Sequence, residues 1–497
     1  MKNKSPFRLL AAILALLTLC GLVVSCAKPG DNPGDTGNST ASQTEEETRV
    51  VNHLPDMDLD GYEYAVVCWE ITSWGNHINM DLFAEELNSD PINDAVYERN
   101  ERLKEKYNFD ITFDSVESAE LTAKINQLFR ANNDVYDLIY INANEVSGLV
   151  LDGAFLDFET NFDYCDLDQP YWDQGIREQL SFADHTYLMA SSYNICDEDA
   201  TSSIVFNKKI AADEGLESFY DLARTGAWTF DSLYENMTAF DGDINGDGKM
   251  KHGDDVFGFI GGDDVAVTFF FGGGARLTEK DDDDLPVDVF NTDRTFDIYD
   301  GLEAIMYDPM FLNHHHEPIS DIDTRQLFIA GDGLFYWTRM DDIREMRGEE
   351  GIDFGILPVP KYDEEQENYI CHISKWTNGF MSVLNCEENP DTVGFIMEAM
   401  ASNSYYTLTE AYYDITLKYK ATRDNESQDM LDIIVNNRTV DIGDIFDFGG
   451  FSEPVLRYGH TPGKPTEMAS TYAKYEDKID SDISKFIDKV ELLDSLS

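Results

Sequence analysis

The chain has 497 residues, 42% of them hydrophobic and 12% aromatic, enough for two or three cored domains and too apolar for a wholly disordered protein. Its formal charge of −61 repels phosphate backbones and argues against nucleic acid as a partner.

The first residues, MKNKSPFR, are basic, and the next 16, Leu9 to Val24, are apolar. A membrane-spanning helix needs about 20 such residues, so this length suits the core of a signal peptide. Val23-Val24-Ser25-Cys26 resembles the bacterial lipobox, in which a cysteine after small residues becomes lipidated. Cys20 is the weaker choice because Leu19 before it is bulky. Residues 1–25 are therefore expected to be a lipoprotein signal peptide. Cys26 is expected to become the acylated first residue, carrying fatty acids such as palmitate and anchoring the chain on the extracellular face of the cell membrane. Residues 26–52 are rich in Gly, Pro, Asp, Ser and Thr and read as a flexible linker reaching about 30 Å. The other cysteines, Cys68, Cys165, Cys196, Cys371 and Cys386, are odd in number and scattered, with no CxxC. They read as buried free thiols rather than a disulfide framework or a zinc site.

The folded part opens with a βαβαβ pattern. Residues 63–72 (EYAVVCWEIT) read as a buried strand, and 93–107 as a charged amphipathic helix capped by Asn93 or Asp94. In 109–116, Phe109, Ile111 and Phe113 alternate on one strand face. In 118–131, Leu121, Ile125, Leu128 and Phe129 form a helical stripe, and 136–144 is a second buried strand. Such alternation predicts an α/β fold whose parallel sheet is covered on both faces. Ligands meet such sheets at the carboxyl ends of the strands, here Trp69-Glu70 and Asn142 to Glu145. Further along, 202–210, 257–262 and 331–338 read as strands, and 352–361 ends in prolines and reads as a natural hinge or crossover. Helices are expected after Trp228, which is assigned to the core, and over 293–308. The stretch 465–497 reads as a solvated helical tail.

Residues 241–255, DGDINGDGKMKHGDD, hold the strongest metal signal. Starting at Asp243 gives Asp243, Asn245 and Asp247 at positions 1, 3 and 5, and Gly248 at the turn. The Lys249 carbonyl and Asp254 then complete positions 7 and 12 of a calcium loop. The loop is single and a strand follows it, so calcium is expected as a structural staple rather than a signal. His314-His315-His316-Glu317 lies before Pro318 and reads as a solvated loop. FGGGAR (271–276) has no GK[ST] and is not a phosphate loop.

Sugars present flat C–H faces to aromatic rings and hydroxyls to polar groups. Trp69, Trp74, Trp172, Trp337 beside Arg339, and Trp376 are therefore candidates for stacking, each with a core role as the alternative. Glu70, Asn142, Asn144 and Glu145 are polar candidates for the same ligand.

FNKKI, GAWTFDSLYE, FGGGARLTEKDDDDLP, FIAGDGLFYW, DFGILPVPKYDEEQENY and YDITLKYKATRDNESQDMLDIIVNNR follow one another in order. With this series the chain resembles the family 1 extracellular solute-binding proteins, the maltose-binding-protein-like lipoproteins of ABC importers, over about residues 60 to 490. The resemblance implies a two-lobed, periplasmic-binding-protein-like (type 2) α/β fold with a cleft between the lobes. The lobes would be 53–195 plus 370–415 and 196–369 plus 416–497. It places Trp69, Trp337 and Trp376 in cleft-lining segments. It further implies a monomeric receptor that is not an enzyme, takes up a solute such as an oligosaccharide and passes it to ABC permease subunits. The competing expectation is a secreted, calcium-stabilised carbohydrate-active enzyme or a surface sugar-binding protein without a transporter.

Overall fold

The structure, a computed structural model, describes residues 52–70, 81–316, 323–346, 349, 351–413, 425–460, 464 and 466–494. The signal peptide, Cys26, nearly all of the linker, Trp74 and Glu317 lie outside the described residues.

In chain order the strands are β1 (Tyr62–Glu70), β2 (Phe109–Glu117), β3 (Leu138–Asn142), β4 (Ser202–Asn207), β5 (Phe257–Gly261), β6 (Thr278–Lys280) and β7 (Pro286–Asp288). They continue with β8 (Phe311–Asn313), β9 (Gly333–Arg339), β10 (Phe354–Leu357), β11 (Cys371–His372), β12 (Gly379–Ser382) and β13 (Arg438–Thr439). Two sheets organise the molecule. The first has the order β12-β3-β1-β2 and the second β10-β4-β9-β5-β8. In the first, β1, β2 and β3 are parallel and β12 closes the edge antiparallel to β3. In the second, β8, β5 and β9 are parallel, while β4 runs antiparallel to β9 and to β10.

Both sheets are mixed rather than wholly parallel as expected, and burial explains their composition. Every residue of LIYIN in β3, SSIVFN in β4, FGFIG in β5 and FGIL in β10 is buried. Such strands need no polar alternation because helices cover both faces. The edge strand β2 differs, since only Phe109 of its three alternating apolar residues is buried.

Three local expectations need correction. The helix Pro91–Tyr107 starts earlier than expected, with Asp90 as its cap accepting from the Ile92 and Asn93 amides and Pro91 in its first turn. The residues after β4 turn into the helix Lys208–Asp213 at once, capped by Asn207. The C-terminal stretch is no solvated tail: in the helix Glu476–Asp494, Ile479, Ile483, Phe486 and Val490 form a buried stripe. Phe486 meets Phe182, Phe446 and Phe448 in one aromatic cluster. Trp228 is core as expected, its indole donating to the Pro358 carbonyl at 2.9 Å. The five described cysteines are free, three of them buried.

The chain passes from the first sheet to the second before β4 and returns between β10 and β12. These passages are stitched together. Ser374 donates to the Ala200 carbonyl at 3.0 Å, Ile373 donates to the Thr439 carbonyl at 2.9 Å, and β11 pairs with β13. Two lobes therefore share a seam of adjacent backbones, which permits rotation about it without unfolding either sheet. No described helix is long and apolar enough to cross a membrane.

Candidate functional site

The seam leads directly to a small enclosed space. It is lined by Ser202 at the start of β4, Trp337 in β9, the first turns of the helix Asp264–Gly272, the crossing residues His372 to Trp376, and Asp444, Ser452, Glu453 and Arg457 from the C-terminal region. Its volume is about 20 Å3, room for a water molecule and far too little for a sugar ring.

Two candidate tryptophans meet here. Trp337 is 9% exposed, and its Nε1 donates to Thr268 Oγ1 at 3.1 Å. Trp376 Nε1 donates to Glu453 Oε1 at 2.8 Å, and the Arg457 guanidinium lies 5.1 Å from the Trp376 ring centre. Arg457 is held in turn by Asp264 at 2.8 Å and Glu453 at 3.4 Å.

Beneath the rings lies a buried ion pair. Lys375 Nζ reaches Asp444 Oδ1 at 2.9 Å and the Asp444 carbonyl at 3.0 Å, with the two residues 4% and 1% exposed. Ser452 also donates to Asp444, and His372, stacked on Phe271, lies 3.6 Å from it. Burial alone would push the Asp444 carboxyl up. Lys375 and His372 outweigh that and hold it well below the usual carboxylate range. The site thus offers aromatic surface among three carboxylates and the two cations, Lys375 and Arg457, that pair with them.

The remaining candidates are placed differently. Trp69 is fully buried in the first sheet's core, its indole against the Cα of Gly379, so it presents no stacking face. Trp172 is 1% exposed, with its Nε1 on the Glu398 carboxylate at 2.9 Å. Both stacking expectations are corrected for this arrangement: the rings fill the first lobe's interior. Asn142 is buried and braces the site from behind, donating to the Trp376 carbonyl at 3.1 Å. Asn144 donates its amide to Asn142 Oδ1, Glu145 accepts from Thr122, and Glu70 accepts from Ser115. Arg339 turns to Asp341 at 2.8 Å.

Sequence reasoning missed Asp264, His372, Lys375, Asp444, Glu453 and Arg457. Lys375 adjoins Trp376 in SKWTNG and could have been flagged with it. The others come from segments far apart in the chain, and no local spacing marks them.

The histidine run faces solvent, as expected, with His315 and His316 exposed and none of the three buried. It forms a tight turn, His314–His316, in which His314 Nδ1 meets the Gly261 carbonyl at 2.8 Å, while His315 and His316 each lie 3.2 Å from the Asp263 carboxylate.

In the acidic loop, Gly248 takes φ +76°, as the sharp turn requires. Asp243 accepts from the amides of Gly246, Asp247 and Gly248. Asp254 is paired with Lys251 at 2.5 Å. The neighbouring Asp255 is the buried carboxylate, accepting from the Ile244 and Lys251 amides. Among the described residues no three or more His, Cys, Asp or Glu side chains are gathered to hold a metal ion.

No protein-family model matches the chain, and no curated protein matches it. Solved structures do. An ABC substrate-binding protein of Listeria monocytogenes in complex with cycloalternan is 12% identical, with 86% of this chain and 100% of that one covered at a TM-score of 0.54. A sugar-binding protein of Xanthomonas citri is also 12% identical, covering 86% and 99% at 0.54. A Mycobacterium tuberculosis protein in complex with glycerophosphocholine gives the same figures. At this identity the likeness is one of fold. The fold is the two-lobed α/β architecture of the solute-binding proteins. Within that class it is the maltose-binding-protein-like form, as the resemblance of the sequence implies.

Proposed function

We propose that the chain is a non-catalytic, lipid-anchored extracellular receptor that captures an oligosaccharide and delivers it to an ABC permease. One observation carries the reading: Trp337 from the second sheet and Trp376 from the crossing segment line one space at the seam. Aromatic faces with polar groups at their edges suit the C–H faces and hydroxyls of a sugar. The lining charges support a neutral solute. Arg457 and Lys375 are both committed to the three carboxylates Asp264, Glu453 and Asp444, so an anionic solute would meet no uncommitted cation there. Solute contacts would favour the closed lobes, and the permease would read that closure. The lipobox supports anchoring through Cys26.

A structural calcium ion belongs to the same reading. Asp243, Asn245, Asp247 and the Lys249 carbonyl supply hard oxygen donors. Asp254, at position 12, would complete them on release from Lys251. The carboxylates now face backbone amides and Lys251, so the loop would have to rearrange around the ion.

The test is tryptophan fluorescence against a panel of oligosaccharides, with the sugar recovered and analysed. Quenching with intact sugar supports a receptor. Cleaved sugar would favour an enzyme, and an unchanged signal across the panel would count against the site.

A further inference from the structure

Beside the seam, away from the tryptophans, a second group of charges joins the lobes. Arg344 lies in the helix Met340–Met346, directly after β9 of the second sheet. Its guanidinium reaches Asp81 of the first lobe at 3.4 Å and pairs with Asp199, in the short helix Cys196–Asp199 that leads into β4. Tyr412, which follows the first-lobe helix Pro390–Ser404, donates to Asp199 at 2.8 Å, and its ring centre lies 5.9 Å from the guanidinium. Asp81 is anchored in its lobe through the next residue, since the Leu82 carbonyl accepts from Arg99 and Asn100 of the helix Pro91–Tyr107.

We propose that Arg344, Asp81 and Asp199 form an acid-tightened latch: two carboxylates and one guanidinium are drawn together where the lobes meet, Asp81 buried and the other two half-buried, so closing the lobes takes up a proton. This rests on the lobe motion in the proposed function but not on the identity of the solute. With both carboxylates ionised the trio carries a net negative charge, which its partly desolvated setting penalises. One proton leaves a single neutral ion pair. When the lobes part, Asp81 leaves with the first lobe and water returns to all three groups.

The surrounding groups agree with this direction. Asp199 faces Arg344, Asp341, Asp81 and Tyr412. Burial pushes its carboxyl up, against the opposing pull of Arg344, to about 7. Asp81 faces Arg344, Asp90 and Arg99, and burial raises it too. The next carboxylates on the short helix, Asp197 and Glu198, are taken by Arg438, which also holds Asp173. A carboxyl raised in the closed form favours closure below its ordinary pKa, and that advantage is lost as the pH rises through about 7. For one such group the closed-to-open ratio should rise about tenfold between pH 8 and pH 6.

The experiment is single-molecule energy transfer on the full chain, with labels at the exposed positions Glu105 and Glu214, one on each lobe. It is run from pH 8 to pH 6 without solute, and in a parallel arm with maltotetraose. The expected result is a closed fraction that rises as the pH falls in the wild type and is high and flat in Asp199→Asn. Asp81→Asn, which leaves Arg344 one carboxylate to neutralise, should move the response to lower pH. A flat wild type, an Asp199→Asn variant with the wild-type slope, or an unshifted Asp81→Asn would overturn the latch. The sugar arm reads the receptor separately: closure on maltotetraose with no response to pH sinks the latch and leaves the receptor standing.

Discussion

The two lobes meet the seam in different ways. The first brings packing: Trp69 against Gly379, Trp172 on Glu398, and Asn142 holding the Trp376 carbonyl. The second, with the crossing and C-terminal segments, brings charge: Lys375 on Asp444, and Arg457 between Asp264 and Glu453. Both contribute tryptophans; among the described residues Trp337 and Trp376 line a space, whereas Trp69 and Trp172 are buried in the first lobe. Residue type alone therefore does not mark a binding surface. What separates Trp337 from Trp69 is whether the facing backbone leaves room beside the ring.

The sharpest way to break this comparison is to remove the charge. Lys375→Ala removes the main cation on buried Asp444 and leaves it only His372 and the Ser452 hydroxyl, which costs up to about 3–5 kcal/mol. Chemical denaturation should show the loss at neutral pH. Its pH dependence has a definite sign. The Asp444 carboxyl is depressed in the folded protein, so its contribution is present above the ordinary aspartate range and fades as the pH falls through and below that range. The variant should lose this acid-sensitive part. A Lys375→Ala protein as stable as the wild type would mean the ion pair holds nothing together.

A smaller effect is expected on the packed side. A Cβ on residue 379 would come 2.2 Å from Trp69 Nε1, so Gly379→Ala must displace a fully buried ring. Overpacking of this kind costs about 1–3 kcal/mol. The contrast sharpens if Gly379→Ala moves the denaturation midpoint yet leaves its pH dependence as in the wild type.

How much of this was legible in the sequence depends on range. Helices with strong stripes, such as Ser118–Ala131, and uniformly apolar strands, such as β3 and β4, follow from local pattern. So does the two-lobed fold, through an ordered series of motifs. The cap at Asp90 was missed because Asn93 and Asp94 also suit a cap and only the position of Pro91 decides between them. The tail was misread because its stripe of Ile479, Ile483, Phe486 and Val490 is diluted by charged residues. The site was half legible. Trp337 and Trp376 are conspicuous, but Asp444 and Arg457 lie 69 and 81 residues beyond the Lys375–Trp376 pair they serve, and only the folded seam brings them together.

Calcium comes next in size and probes a region outside the comparison. The loop lies between the helix Phe230–Met237 and β5, and none of its residues lines the seam site. An ion bound only by the folded loop stabilises by about 1.4 kcal/mol at a free concentration tenfold above its Kd. A melting curve with and without calcium, in the absence of sugar, should show the shift, and Asp243→Ala should abolish it. A change in sugar affinity alone, with no shift in melting, would remove the staple.

The smallest effect is the one that bears most directly on function. If Trp337 stacks on the solute, Trp337→Ala should weaken oligosaccharide binding by about 1 kcal/mol, roughly a fivefold rise in Kd. Trp172→Phe is the matched control. It removes the indole donor to Glu398 inside the first lobe and should lower stability while leaving sugar affinity unchanged. Titration calorimetry on both variants reads the difference. Equal affinity losses would mean that the rings act through lobe stability alone, and the division between a packing side and a binding side would collapse. A loss confined to Trp337→Ala ties binding to the ring that lines the space, which is the physical content of the comparison.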